Sequence, residues 1–177
     1  MPNELATFRS WFSYLAEGRR GYLATFAKLP PAELHRARGA SFASMLDIFE
    51  HSQGAYIYWI AKCVRNPLPS PPRETGKDPP LAEVVENETW LQEEVRRYLA
   101  AVPAEELDRR IAISPGDPIA HACELPVRDI LWHLVEEELQ HRGELNALLW
   151  QIDVDPPVYD WIDWRHAAGD LHRSPPR

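Results

Sequence analysis

Four stretches of this chain repeat apolar residues every three or four positions, and proline-rich segments separate them. That pattern restricts the fold more than any other feature of the sequence. Asn3 to Lys28 carries Leu5, Phe8, Phe12, Leu15, Tyr22 and Phe26 on one stripe, with Arg19 as its polar intruder. Steps of three, four and seven describe one face of an amphipathic helix. "LPPAEL" ends it, because proline lacks an amide and clashes with the preceding turn. A second helix is expected from about Ser41 to Asn66, with Phe42, Met45, Leu46, Phe49, Tyr56, Ile60 and Cys63 inward. "NPLPSPPRETGKDPP" must then be a loop or extended crossover. A third helix follows from Leu81 to Ala101, with Leu81, Val84, Val85, Leu91, Val95 and Leu99 as its apolar set.

Two short apolar runs flank Ser114-Pro115-Gly116-Asp117, a turn-forming composition that predicts a small β-hairpin. The fourth helix runs from Val127 to about Ile152, with proline near its first turn. In the tail, Tyr159, Trp161 and Trp164 are expected to fold back as a short helix or turn, with the last ten residues frayed. The expected architecture is therefore all-α over residues 1–177 as one domain. It is a four-helix bundle with a long crossover between helices two and three and a small β-hairpin before helix four.

Composition narrows the function classes. A hydrophobic content of 45% argues for a packed core, and a formal net charge of −8 without a Lys/Arg cluster argues against nucleic-acid binding. No apolar run approaches the ~20 residues of a membrane span, and "MPNELATFRS" does not read as a signal peptide. Cys63 and Cys123 have no CxxC spacing and read as two separate thiols rather than a zinc site or disulfide framework. A reducing, cytoplasmic setting is the expectation.

The chemistry-bearing segment is "HLVEEELQHRGELNALLWQ", starting at His133. At about 100° per residue, the stripe Val127, Leu131, Leu134, Leu145, Leu148 and Ile152 continues through Glu138 and His141. Glu137 lies about 40° from His141 at the border of that arc, and His133 about 80° away toward solvent. Glu136 points outward. A core histidine bonded to a neighbouring carboxylate or carbonyl would satisfy this helix, and metal ligation by an i, i+4 pair is the alternative. On the second helix, His51 sits at the edge of the apolar face, where the wheel does not decide its direction. The Glu138-x-x-His141 motif of di-iron bundles has no second copy, so a ferritin-like dinuclear site is not expected. No Gly-rich phosphate loop, GxSxG or HExxH is present.

"HLVEEELQHRGELNALLWQ" together with "FEHSQGAYIYWI" resembles the DinB/YfiT-like superfamily of metalloenzymes, and the resemblance covers most of the chain. It implies a four-helix bundle holding one divalent ion through a His of helix two and an HxxxH pair on helix four. His51 matches the first ligand and His141 the last. Glu137 stands where the family has a histidine, with His133 and Glu138 as substitutes should Glu137 point away. A His₂Glu set with open positions suits zinc, nickel or iron. The resemblance implies a metal-dependent hydrolase or thiol-dependent transferase acting on a small molecule, with a low-molecular-weight thiol as a co-substrate. A non-catalytic metal- or ligand-binding bundle with a stress-related role is the alternative, and a plain structural dimer the third. Asp47, Tyr58 and Glu138 lie within helical reach of the site. A homodimer is the expected assembly, with no nucleic-acid or membrane partner.

Overall fold

The structure is a computed structural model that describes residues 4–63, 68–73, 78–114, 122–157 and 160–169. It is mostly helical, with one small two-stranded antiparallel sheet. Helix α1 spans Glu4–Phe26 and buries Leu5, Phe8, Phe12, Leu15, Tyr22 and Phe26 as the periodicity requires. A four-residue helix not foreseen from the sequence, α2 (Pro31–Leu34), follows, with proline in its first turn, where a missing amide costs nothing.

Helix α3 covers Met45–Cys63 and so begins four residues later than the apolar pattern predicts. The reason is a cap. The Asp47 amide donates to Ser44 Oγ at 3.2 Å, and the same hydroxyl lies 2.7 Å from the Asp47 carboxylate. This reciprocal arrangement ends the preceding loop at Ser44 and starts the helix. Phe42 consequently belongs to the approach loop and not to the helix.

Helix α4 spans Leu81–Ala101, as expected, and its inner face differs in one respect. Val85 is exposed, whereas Asn87, Glu88 and Glu94 are buried. A 3₁₀ turn at Ala104–Asp108 leads into strand β1 (Arg110–Ile113), which pairs with β2 (Cys123–Pro126) from Arg110 opposite Pro126 to Ile113 opposite Cys123. The hairpin is as expected, but its strands place residues 114–122 between them, a longer connection than a tight turn. Pro115, Gly116 and Asp117 lie outside the described residues. The Val127 amide donates to the Arg109 carbonyl at 3.0 Å, so the hairpin satisfies a backbone group at the start of helix α5 (Val127–Trp150).

The tail returns as α6 (Trp161–Ala167), capped by Asp160, whose side chain accepts the amides of Ile162 and Asp163. Trp161 stacks on Trp11 at 4.2 Å, and Trp164 Nε1 donates to Glu17. Tyr159 and residues 170–177 lie outside the described residues. Both cysteines are free thiols, Cys63 buried. No described helix is long and apolar enough to cross a membrane.

The long helices pack as α1 on α4 and α5, and α3 on α5 and α4. Their apolar faces form two clusters. One gathers Phe8, Phe12, Leu15, Tyr56, Ile60, Leu91, Val95 and Leu134; the other gathers Tyr22, Phe26, Leu46, Phe49, Val84, Leu145 and Leu148. A buried polar layer lies between them, with one or two residues from each long helix. Arg19 of α1 donates to both oxygens of Glu88 on α4 at 2.6 and 2.8 Å. It also reaches Glu138 Oε2 on α5 at 2.6 Å and Ser52 Oγ on α3 at 2.7 Å. Gln53 and Gln92 donate to Glu88, and the guanidinium sits 4.4 Å from the centre of the Phe49 ring. Burial works against charge on both Arg19 and Glu88, but their mutual attraction outweighs it. The Glu88 carboxyl is held below its usual range, and the guanidinium is held firmly protonated.

The polar intruder of the first stripe is thus the centre of the core. Arg19→Met would leave two buried carboxylates without their cation, at a cost of ~3–5 kcal/mol. Urea denaturation should show that loss, and Arg19→Met combined with Glu88→Leu and Glu138→Leu should be more stable than the single variant. A single variant as stable as wild type would mean the layer carries no such dependence.

Candidate metal centre

Helices α3 and α5 bring three donor side chains to their shared seam. Glu137 and His141, one helical turn apart on α5, project side by side. His51 faces them from α3. Glu137 Oε2 lies 3.5 Å from His51 Nε2 and 3.2 Å from His141 Nε2, and one donor atom from each of the three falls within 4.8 Å of the others. The imidazole centroids are 5.0 Å apart at 79°. Tetrahedral donors bonded at ~2.1 Å lie ~3.4 Å from one another, so the two Glu137 contacts match the spacing of donors around one ion. Glu137 Oε2 is buried and has no hydrogen-bond partner among the described residues. A buried carboxylate oxygen left this way calls for a cation or a proton. The donor set therefore fits a divalent metal.

Protonation states agree with that fit. Burial, followed by the neighbouring His141, lowers the His51 pKa despite the opposing pull of Glu137, which favours the neutral imidazole that ligates metals. His141 Nδ1 lies 3.1 Å from Glu144 Oε2. A proton on Nδ1 makes that contact a hydrogen bond and leaves the Nε2 lone pair facing Glu137 and His51. Burial opposes the charge on Glu144, but hydrogen bonds from Ser41 and His141, and the nearby imidazoles, outweigh it and hold its pKa below the usual range. Ser41 Oγ donates to Glu144 Oε2 at 2.5 Å, which ties the loop before α3 to helix α5.

The surroundings are aromatic on two sides. Phe42 stacks on the His51 ring at 4.2 Å and meets His141 edge-on at 5.7 Å. On the other side, Trp59 packs edge-on against His133 at 5.3 Å. The side chains of His51, Glu137 and His141 are 39%, 21% and 6% exposed, so the group opens to solvent on the His51 side.

The other residues singled out by sequence take different positions. Glu138 turns into the core, bonded to Arg19 and Ser52, and does not face the donors. Asp47 caps α3. Tyr58 packs against Trp59 with Lys62 over its ring. His133 comes near Glu137 through the other carboxylate oxygen, Oε1, at 3.8 Å. Sequence reasoning missed Ser41 and Glu144. Glu144 sits three residues beyond His141, a spacing that could have flagged it, whereas its link to Ser41 spans 103 positions.

A separate cleft of about 1220 Å³ runs between α1 and α4, lined by Phe12, Ala16, Arg20, Leu99 and Trp164 among others, and by none of the three donors. Its carboxylates are already engaged, Glu88 by Arg19, Glu93 by Arg96 and Glu17 by Trp164. The three donors meet instead at the α3–α5 seam, where Glu137 Oε2 has no hydrogen bond among the described residues.

The sequence profile of the DinB superfamily matches residues 14–145, a span that contains all three donors. No curated protein sequence matches the chain. Among solved structures, a DinB-like protein of Bacillus subtilis is similar, with a TM-score of 0.58 at 17% identity, over 85% of this chain and 97% of that one. At that identity the likeness shows the fold, and the profile match, covering well over half of the chain, shows the family. The chain belongs to the DinB superfamily.

Proposed function

We propose that His51, Glu137 and His141 hold one divalent cation and that the protein is a metal-dependent enzyme acting on a small molecule. In this reading α1, α3, α4 and α5 form a four-helix bundle, and the metal lies in the α3–α5 seam. The observation that carries it is the buried Glu137 Oε2, without a hydrogen bond, between two Nε2 atoms.

Three protein ligands leave coordination positions for water or substrate, the pattern of catalytic rather than structural sites. A zinc, nickel or iron ion bound there supplies Lewis acidity, lowering the pKa of a coordinated water or thiol. Hydrolysis and thiol transfer to an electrophile are the two reaction classes this supports. The chain's own residues orient the site. Glu144 fixes the tautomer of His141, Ser41 holds Glu144, and Phe42 shields the His51 ring from water on one face. The open His51 side also accommodates a second reading, a non-catalytic metal-binding protein, because the donors reach solvent through His51 and line no part of the cleft.

Tag-free protein stripped with chelator and dialysed against Zn²⁺ should bind stoichiometric metal and melt at a higher temperature. His51→Ala and His141→Ala should abolish both effects. Wild type that takes up no zinc removes the metal reading altogether.

Glu144→Ala should weaken Zn²⁺ binding by about 10–100-fold, and Ser41→Ala should act in the same direction to a smaller extent. Affinities unchanged in both variants would show that Glu144 does not hold the ligand.

Ester and amide hydrolysis and thiol–electrophile conjugation, assayed with and without chelator, separate enzyme from binding protein. Turnover should disappear on chelation and return with Zn²⁺. Turnover indifferent to chelator would count against metal catalysis, and a metal-loaded protein silent in every assay favours the second reading.

A further inference from the structure

Glu137 presents its two carboxylate oxygens to different imidazoles. Oε2 faces His51 and His141, whereas Oε1 faces His133 at 3.8 Å. That last distance is too long for a hydrogen bond, which needs ~2.7–3.2 Å, and exceeds the ~3.4 Å between tetrahedral donors, so a shared ion would draw the two side chains together by a few tenths of an ångström. Glu136 adds a third donor. One ligand atom each from His133, Glu136 and Glu137 lies within 4.8 Å of the others, a second group that shares Glu137 with the first.

We propose that His133, Glu136 and Glu137 Oε1 form a second divalent-cation site on the outer face of α5, with the Glu137 carboxylate bridging it to the inner site. Positions i, i+3 and i+4 of one helix present neighbouring side chains, so a single turn of α5 supplies all three donors. Trp59 of α3 packs edge-on against the His133 ring at 5.3 Å. Glu136 makes no hydrogen bond or ion pair among the described residues, so its carboxylate is available. The outer donors are one nitrogen and two oxygens, a set that suits Zn²⁺ or Mn²⁺ with water in the remaining positions. Sharing one carboxylate divides its charge between two cations, and the outer donors are more exposed. The outer ion is therefore the weaker of the two and is lost first on dialysis. A pair of cations on one carboxylate could clamp two oxygens of the same substrate, as a single ion cannot.

The bridge rests on Glu137 being a ligand of the inner ion, while the outer donors stand by themselves. The test uses tag-free, chelator-stripped protein with Zn²⁺ for stoichiometry and Mn²⁺ for electron paramagnetic resonance. Wild type should reach two Zn²⁺ per chain, and His133→Ala/Glu136→Gln, whose changes are at the surface, should reach one. Mn²⁺-loaded wild type should give an exchange-coupled spectrum that becomes uncoupled in the double variant. Wild type saturating at one ion that the double variant retains overturns the second site and leaves the inner one intact. No ion bound overturns both. Two ions with an uncoupled spectrum, or two still bound by the double variant, also overturn the proposal.

Discussion

The buried guanidinium of Arg19 is the constraint on which the rest of this structure depends. It gathers Glu88, Glu138 and Ser52, so that three other helices converge on α1 at one level of the core. A buried charge is tolerated only where its partners are in place, which makes the layer intolerant of slippage between helices. The apolar clusters on either side favour burial of any kind, but the polar layer accepts only one relative placement of the four helices.

That placement reaches the surface by simple helix geometry. Ser52 and Glu138 are joined at 2.9 Å across the α3–α5 seam, and each is the direct neighbour in sequence of a donor, His51 or Glu137. Consecutive helical residues point about 100° apart. Once Ser52 and Glu138 turn into the core, His51 and Glu137 are carried round to the seam, where they meet. Two adjacent glutamates of the same chemistry therefore take different roles. Glu138 is neutralised by Arg19, while Glu137 keeps an oxygen free of hydrogen bonds between two imidazoles.

Much of the fold could be read from apolar spacing. The four long helices, the hairpin and the returning tail follow from periodicity, proline placement and turn composition, and α4 begins and ends where the pattern says. The misplacements are local. Phe42 fits the inner stripe of the second helix, yet the Ser44 cap starts α3 after it, and Phe42 instead covers His51 and His141. Val85 fits the stripe of the third helix, yet Glu88 and Asn87 hold the buried positions because they have partners to satisfy them. The apolar stripe of the fourth helix runs through Glu138, but the third gives no reason for Glu88 to point inward; a cation on another helix does.

The sequence by itself determined the helices and placed His141 on a buried face. It also set Glu137 one turn before His141, because i, i+4 spacing is a property of a single helix. Resemblance to the family added His51 as their partner. What only the tertiary structure decided is the direction of His51, the division of labour between Glu137 and Glu138, and the Ser41–Glu144–His141 chain. Each of these depends on contacts between segments far apart in the chain. Periodicity reports which face of a helix is buried, but it carries no information about which residue of another helix lies across from it.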